Sequence, residues 1–281
     1  MASRFEGKTV FVTGVARGQG RNHAIRFAEE GARVVGVDLA GPISTTHYPG
    51  ATADDLEETG RLLDKTGSDY RLHTADVREL HALENAVADG LAAFGGFDIV
   101  LPTAGITSLG ATWEMTEEQW DEMVAINLSG VWRTLRAVLP SMVERREGGA
   151  VVLTGSVAGI IGMPYLAHYA AAKHGVNGLV KSLANELAPH RIRVNSVNPT
   201  NVATPMILND ATYQHFRPDV PGATREDAIP AFSSYNLLDT PWVESDDVSN
   251  AVLWLCSDEA RYLTGVLLPV DTGAVVKWPG A

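Results

Sequence analysis

Tyr169 and Lys173 stand four residues apart in the stretch Pro164 to Gly175, and Ser156 follows the apolar run Ala150 to Thr154. In a helix, a spacing of four puts phenol and ammonium on one face, one turn apart. A free tyrosine loses its proton near pH 10, so acid/base work at neutrality requires roughly 4 kcal/mol of phenolate stabilisation. One positive charge about 4 Å away, at an effective dielectric near 20, supplies an interaction of that size. Desolvation opposes it, so a second positive charge, such as an oxidised nicotinamide, is expected to help. Taken alone the pair is weak, since chance places a Tyr four residues before a Lys about 0.1 times in such a chain. The plain structural alternative is a surface lysine lying along a half-buried tyrosine.

The elements that position such a pair are written in the rest of the chain. With 281 residues, 45% of them hydrophobic, it has the size of one large α/β domain or two small ones. A formal charge of −12 and a pI near 5.1 argue against nucleic-acid or anionic-membrane partners, which call for clustered basic residues. Arg145 and Arg146 are the only adjacent basic pair. The single cysteine, Cys256, excludes an internal disulfide and a cysteine-based metal cluster, and no metal is expected. It reads as a small buried hydrophobe in the helical run Val248 to Cys256. The polar stretch Met1 to Lys8 does not resemble a secretion signal. No apolar run approaches the ~18 residues that span a bilayer, so a soluble cytoplasmic protein is expected.

Short apolar, β-branched runs alternate with amphipathic stretches. The strand candidates are Thr9 to Thr13, Arg33 to Asp38, Arg71 to Asp76, Asp98 to Thr103, Ala150 to Thr154, Arg193 to Asn198 and Val266 to Val270. Near-continuous apolar strands are buried on both faces. The helices between them, one opened by the capping box Thr116-Glu117-Glu118-Gln119, complete the pattern of a doubly wound parallel α/β sheet. One Rossmann-type domain over residues 1–281 is expected. Two segments break the rhythm: Leu39 to Asp54, rich in small and turn-forming residues, and Pro199 to Pro241, with six prolines and the aromatics Tyr213, Phe216, Phe232 and Tyr235. Long loops within a domain are usually functional.

Gly14, Gly18 and Gly20 lie between the first strand and the first helix. Glycines there let the backbone turn and approach a pyrophosphate held by the helix N-terminus. Asp38, ending the second strand, is placed to accept hydrogen bonds from both hydroxyls of an adenosine ribose and would repel a 2′-phosphate. NAD is therefore expected over NADP, with Arg17 as the counter-argument because a guanidinium can hold a phosphate. Asp76 is placed for the adenine edge or for a helix cap. Thr103-Ala104-Gly105 offers small residues past which a dinucleotide can run, or an ordinary tight turn.

Thr13-Gly14-x-x-x-Gly18-x-Gly20, Asp38, Asp76, Ala104-Gly105, Asn127, Ser156, Tyr169-x-x-x-Lys173 and Pro199 together resemble the short-chain dehydrogenase/reductases, over nearly the whole chain from Gly7 to about Gly273. The resemblance implies Tyr169 as general acid/base, with Lys173 lowering its pKa and holding the nicotinamide ribose. It implies Ser156 orienting the substrate oxygen, and Asn127, in a helix from Thr116 to Leu139, binding the water that links Lys173 to solvent. Thr204, within Val202-Ala203-Thr204, resembles the family's hydroxyl that fixes the nicotinamide carboxamide; Gln19, Val77 and Val202 join the implied cofactor surface. Two positions depart from the pattern: Thr103 stands where the family usually has Asn, and Thr200 where it usually has Gly after the proline.

Arg17-Gly18-Gln19-Gly20-Arg21-Asn22-His23, the segment from Leu39 to Asp54 and the following Asp55-Leu56-Glu57-Glu58-Thr59 resemble the carveol-dehydrogenase-like, mycofactocin-associated subgroup. That implies an NAD that does not exchange freely and an external, peptide-derived redox carrier, with the segment after Asp38 folding over the adenosine as a lid. Trp113, Met163 and Tyr165 are expected to join the aromatic loop around an apolar or cyclic, terpenoid-like secondary alcohol or its ketone. Two other readings stand beside this one: an ordinary NAD-exchanging ketoreductase or alcohol dehydrogenase, and a non-catalytic NAD-binding sensor or scaffold. The family further implies a homotetramer, with helices from Thr116 and Pro164 at the interface.

Overall fold

The computed structural model describes residues 3–278; Met1, Ala2 and residues 279–281, the ends of the expected domain, lie outside the described residues. β1 (Thr9–Thr13) leads through α1 (Gly18–Glu29), β2 (Arg33–Asp38), α2 (Ala53–Asp64), β3 (Tyr70–Thr74) and α3 (Leu80–Phe94) to β4 (Ile99–Leu101). Next come α4 (Glu117–Val124), a π-helical turn (Ala125–Gly130), α5 (Val131–Arg145) and β5 (Gly149–Thr154). α6 (Ala167–Leu187), β6 (Ile192–Pro199), α7 (Asp210–Phe216), α8 (Arg225–Ser233), α9 (Ser245–Cys256) and β7 (Leu267–Val270) complete the chain.

All seven expected strands form, and they make one sheet in the order β3-β2-β1-β4-β5-β6-β7 with every pairing parallel. Leu83, Leu135, Val138, Val176 and Val180 from α3, α5 and α6 pack with one face. Ala24, Phe27, Leu56, Leu63, Val248 and Val252 from α1, α2 and α9 pack with the other. The strand order reverses between β1 and β4, so a crevice opens beyond their carboxyl ends, where doubly wound sheets bind ligands. Cys256 is buried in α9 and burial pushes its thiol up to about 12, which leaves it inert. Among the described residues no helix is long and apolar enough to cross a membrane.

The two irregular segments differ from one another. Residues 39–52 form neither helix nor strand, and α2 begins at Ala53 behind a Thr52–Asp55 capping box, one residue before the insert was expected to end. The second segment is not an open loop. It contains α7, capped by Asn209, and α8, whose Thr224–Asp227 capping box is readable in the sequence although its prolines mask it. Tyr213, Ala223, Ala228, Phe232 and Trp242 give this lobe an apolar cluster of its own.

Candidate active site

The glycine turn is built by close approach. Gly14 has φ +76°, and a Cβ there would lie 2.9 Å from the Ala104 backbone; a Cβ on Gly20 would lie 2.1 Å from the Gly14 carbonyl. Thr13 Oγ1 accepts from the N–H groups of Thr103 and Ala104, both at 3.0 Å, tying the ends of β1 and β4. The first turn of α1 has neither a side-chain cap nor an acidic residue, leaving its N–H groups and positive dipole end for an anion. Gln19 Oε1 is buried without a protein partner. The free N–H groups of α1 fit a dinucleotide pyrophosphate, while the Gln19 oxygen is left to accept from a donor on the ligand.

Gly14, Arg17, Gly18, Gln19, Gly20, Asp38, Asp76, Val77, Thr103, Ala104, Gly105 and Thr204 line one cleft. Asp38 accepts Ala16 N–H on one oxygen and Ala40 N–H on the other, both at 2.9 Å; each oxygen keeps a lone pair for a ribose hydroxyl. Asp76 is paired with Arg78 at 2.6 Å, and Arg78 reaches Glu122 at 2.7 Å. Arg17 is engaged by the segment that follows Asp38: its guanidinium donates to the Pro49 carbonyl and sits 5.9 Å from the Tyr48 ring centroid.

Residues 39–52 cross this cleft as a strap. Thr45 Oγ1 donates to Glu122 at 2.6 Å, Ser44 donates to Glu118 at 3.2 Å, and Tyr48 Oη accepts Thr107 N–H at 3.1 Å. Tyr48 lines the cleft, and burial pushes its phenol up to about 12. Sequence reasoning found the insert and missed these anchors, which no spacing rule marks.

A second cleft holds Ser156, Tyr169 and Lys173 with Thr154, Met163, Pro199, Val202, Phe216 and Tyr235, and it shares Gln19, Thr103, Gly105, Ile106, Thr204 and Met206 with the first. The two clefts are therefore continuous. Tyr169 and Lys173 lie on α6, with the Lys173 ammonium 5.6 Å from the Tyr169 ring centroid. Lys173 is buried and donates to the Thr154 carbonyl at 2.7 Å. Burial brings its ammonium down to about 8.

Two effects oppose one another at the phenol. Burial holds Tyr169 above its ordinary value, opposed by a hydrogen bond with the Ser156 hydroxyl.

Ser156 is fixed by a buried amide network that sequence reasoning missed. Asn198 Oδ1 accepts Ser156 N–H at 3.2 Å and Asn177 Nδ2 at 3.0 Å, and Asn198 Nδ2 donates to Ser196 at 2.9 Å. A Cβ on Gly155 would meet that Asn198 oxygen at 2.2 Å. The readable signal was the run of polar residues, Asn195, Ser196 and Asn198, inside a strand that is buried almost throughout.

Asn127 lies in the π-helical turn, not in the continuous α-helix expected from Thr116 to Leu139. Its amide accepts from Ile106 N–H and donates to the Ile106 carbonyl, both at 2.8 Å. π-Turns of this kind concentrate at functional sites. Thr103, at the first departure, donates to the Leu101 carbonyl at 3.3 Å and accepts from Thr154 at 3.4 Å. Thr200 lines the second cleft. Trp113 and Tyr165 were expected at the substrate pocket and do not line it. Trp113 is 84% exposed, while Tyr165, half exposed at φ +64°, meets His215 edge-on at 5.6 Å. Met163, Phe216 and Tyr235 do line it, whereas Tyr213 and Phe232 turn into the lobe's own core.

A family model described as Enoyl-(Acyl carrier protein) reductase matches residues 14–275. The chain is 47% identical over 279 residues to a putative short-chain type dehydrogenase/reductase of Mycolicibacterium smegmatis, covering 99% of this chain and all of that one. It belongs to the short-chain dehydrogenase/reductase family and is an oxidoreductase of that family. It is also 47% identical over 276 residues to (−)-trans-carveol dehydrogenase of Rhodococcus erythropolis, covering 98% of this chain and 100% of the relative. The crystal structure of carveol dehydrogenase from Mycobacterium avium in complex with NAD superimposes with a TM-score of 0.96 at 45% identity, covering 98% of this chain and 99% of that one.

Proposed function

We propose that this protein is an NAD-dependent dehydrogenase that oxidises a secondary alcohol on an apolar or cyclic, terpenoid-like skeleton. The observation that carries the reading is the continuity of the anion-ready glycine cleft with the cleft that holds Ser156, Tyr169 and Lys173. The first turn of α1 would hold the pyrophosphate, Asp38 the adenosine ribose, and Asp76 with Val77 the adenine side. Ala104 and Gly105 let the dinucleotide pass, Lys173 and Tyr169 would take the nicotinamide ribose, and Pro199, Val202 and Thr204 would surround the carboxamide. Engagement of Arg17 by Pro49 and Tyr48 supports NAD over NADP.

Bound NAD supplies the hydride acceptor and, when oxidised, a positive charge beside the phenol. Ser156 orients the substrate oxygen, and Tyr169, as phenolate, takes the hydroxyl proton. Lys173 keeps positive charge beneath it. Asn127 holds Ile106 in place and carries the water that connects Lys173 to solvent. A sensor or scaffold has no use for this proton-handling group. The walls at Ile161, Met163, Leu166, Phe216 and Tyr235 suit a hydrophobic ligand, and the relative named for (−)-trans-carveol supports a cyclic alcohol.

The strap acts as a lid that slows cofactor exchange, so that an external peptide-derived carrier of the mycofactocin type reoxidises NADH in place. Its bonds to Thr107, Glu118 and Glu122 support this. Half-exposed Trp120 and Trp132, on α4 and α5, support a homotetramer joined there and along α6; the same reading puts the enzyme in the cytoplasm. The test is to purify the protein without added cofactor, denature it and quantify NAD. About one NAD per chain is expected. An empty protein that turns over with free NAD would overturn the lid and favour an ordinary exchanging enzyme.

A further inference from the structure

We propose that Tyr48, on the strap, and His168, on α6, grip adjacent residues of one loop, so that seating the strap and positioning Tyr169 are a single event. The inference rests on the assignment of Tyr169 as the acid/base and is independent of how fast NAD exchanges.

The loop after β4 is fastened residue by residue, each time by a different element. Ile106 is held through both its N–H and its carbonyl by Asn127. Thr107 donates its N–H to Tyr48 Oη on the strap at 3.1 Å. Ser108, 2% exposed, pairs through its hydroxyl with His168 Nε2 at 2.8 Å. His168 is itself 1% exposed and precedes Tyr169 in the first turn of α6. Consecutive α-carbons are fixed about 3.8 Å apart, so Thr107 and Ser108 do not shift independently. Strap, loop and catalytic helix thus form one mechanical chain that ends beside the phenol.

The chemistry of each grip points the same way. A buried hydroxyl–imidazole pair adds little net stability but sets direction strongly. His168 Nδ1 has no protein partner, so the Ser108 bond is the polar contact that orients this ring. Tyr48 lines the cofactor cleft, and among the described residues no protein acceptor takes its own O–H proton, which leaves a donor for the ligand beneath the strap. Tyr48 and His168 are positioning residues, acting through the loop.

The test is a double-mutant cycle of Tyr48→Phe and Ser108→Ala on the NAD-loaded protein. One arm reads single-turnover NADH formation with (−)-trans-carveol. The other needs no substrate and reads amide hydrogen exchange along residues 170–173, where α6 begins its ladder. Each single variant should slow the turnover about tenfold, the effect of one hydrogen bond, with half-saturation by alcohol little changed. The double variant should be no slower than the worse single, and His168→Gln, which retains a side-chain donor, should keep most of the rate. Tyr48→Phe should raise exchange in α6 as well as in the strap. Losses that multiply in the double variant, or faster exchange confined to the strap, would overturn the proposal. Wild-type protein inert toward carveol would sink that substrate reading alone, leaving the exchange arm to decide this one.

Discussion

The strap and the substrate lobe are both insertions between a strand and a helix, and they are held in opposite ways. The strap, between β2 and α2, is anchored mainly by separate polar contacts, from Arg17 to Pro49, from Tyr48 to Thr107 and from Ser44 and Thr45 to the acids of α4. The lobe, between β6 and α9, has an apolar centre in which Phe216 lies 4.3 Å from Phe232, and Phe232 5.8 Å from Trp242, centroid to centroid. Individual hydrogen bonds are worth about 1 kcal/mol each, so the strap opens by local steps. An apolar cluster moves or melts as a unit. One cofactor cover and one substrate cover therefore answer to different perturbations.

The largest expected effect is on the lobe. Phe232 is fully buried, and Phe232→Ala should cost about 3–5 kcal/mol of local stability. Half-saturating alcohol should rise at least tenfold while NAD content is unchanged, checked by steady-state kinetics and by NAD quantified after denaturation. Equal loss of NAD would show that the two covers are not separate.

The scaffold beneath them gives a second, smaller effect. His23 in α1 is buried against Ser249 of α9 at 2.7 Å, and burial brings its imidazole down to about 3. Below about pH 6.5 the unfolded chain takes up a proton at His23 that the folded chain refuses, so stability falls by about 1.4 kcal/mol per pH unit. The loss continues until the pH reaches the folded value. Thermal unfolding from pH 7 to 5 should show this slope in the wild type and lose its His23 share in His23→Gln. The strap's opening should not follow it.

The smallest effect is on the strap itself. Thr45→Val removes the hydroxyl's bond to Glu122 and leaves the backbone N–H bond at 3.3 Å; it should speed NAD release by no more than about fivefold, roughly 1 kcal/mol. Stopped-flow displacement measures this, and the global melting temperature should stay within about a degree.

The sequence exposed what burial and spacing write into it. Strands covered on both faces read as apolar runs, which is why β1 and β2 were placed residue for residue, and the intervals among Gly14, Gly18 and Gly20 and between Tyr169 and Lys173 are fixed by backbone geometry. What stayed hidden depends on contacts between distant segments. The π-turn at Asn127 inserts one residue that helical periodicity does not report. Asn177 and Asn198 meet only after α6 packs on β6, and Tyr48 matters only because the strap crosses to Thr107. Trp113 and Tyr165 show the converse: aromatic character suggested a pocket wall, and the fold turned both outward.

The most direct test of the central claim is a single turnover by Tyr169→Phe protein carrying bound NAD. The ring is kept and the proton acceptor is lost. Wild-type protein mixed with a secondary alcohol should reduce its bound NAD to NADH. Tyr169→Phe should hold the same amount of NAD and form NADH at least about a thousandfold more slowly. Reduction by Tyr169→Phe at the wild-type rate would contradict the account.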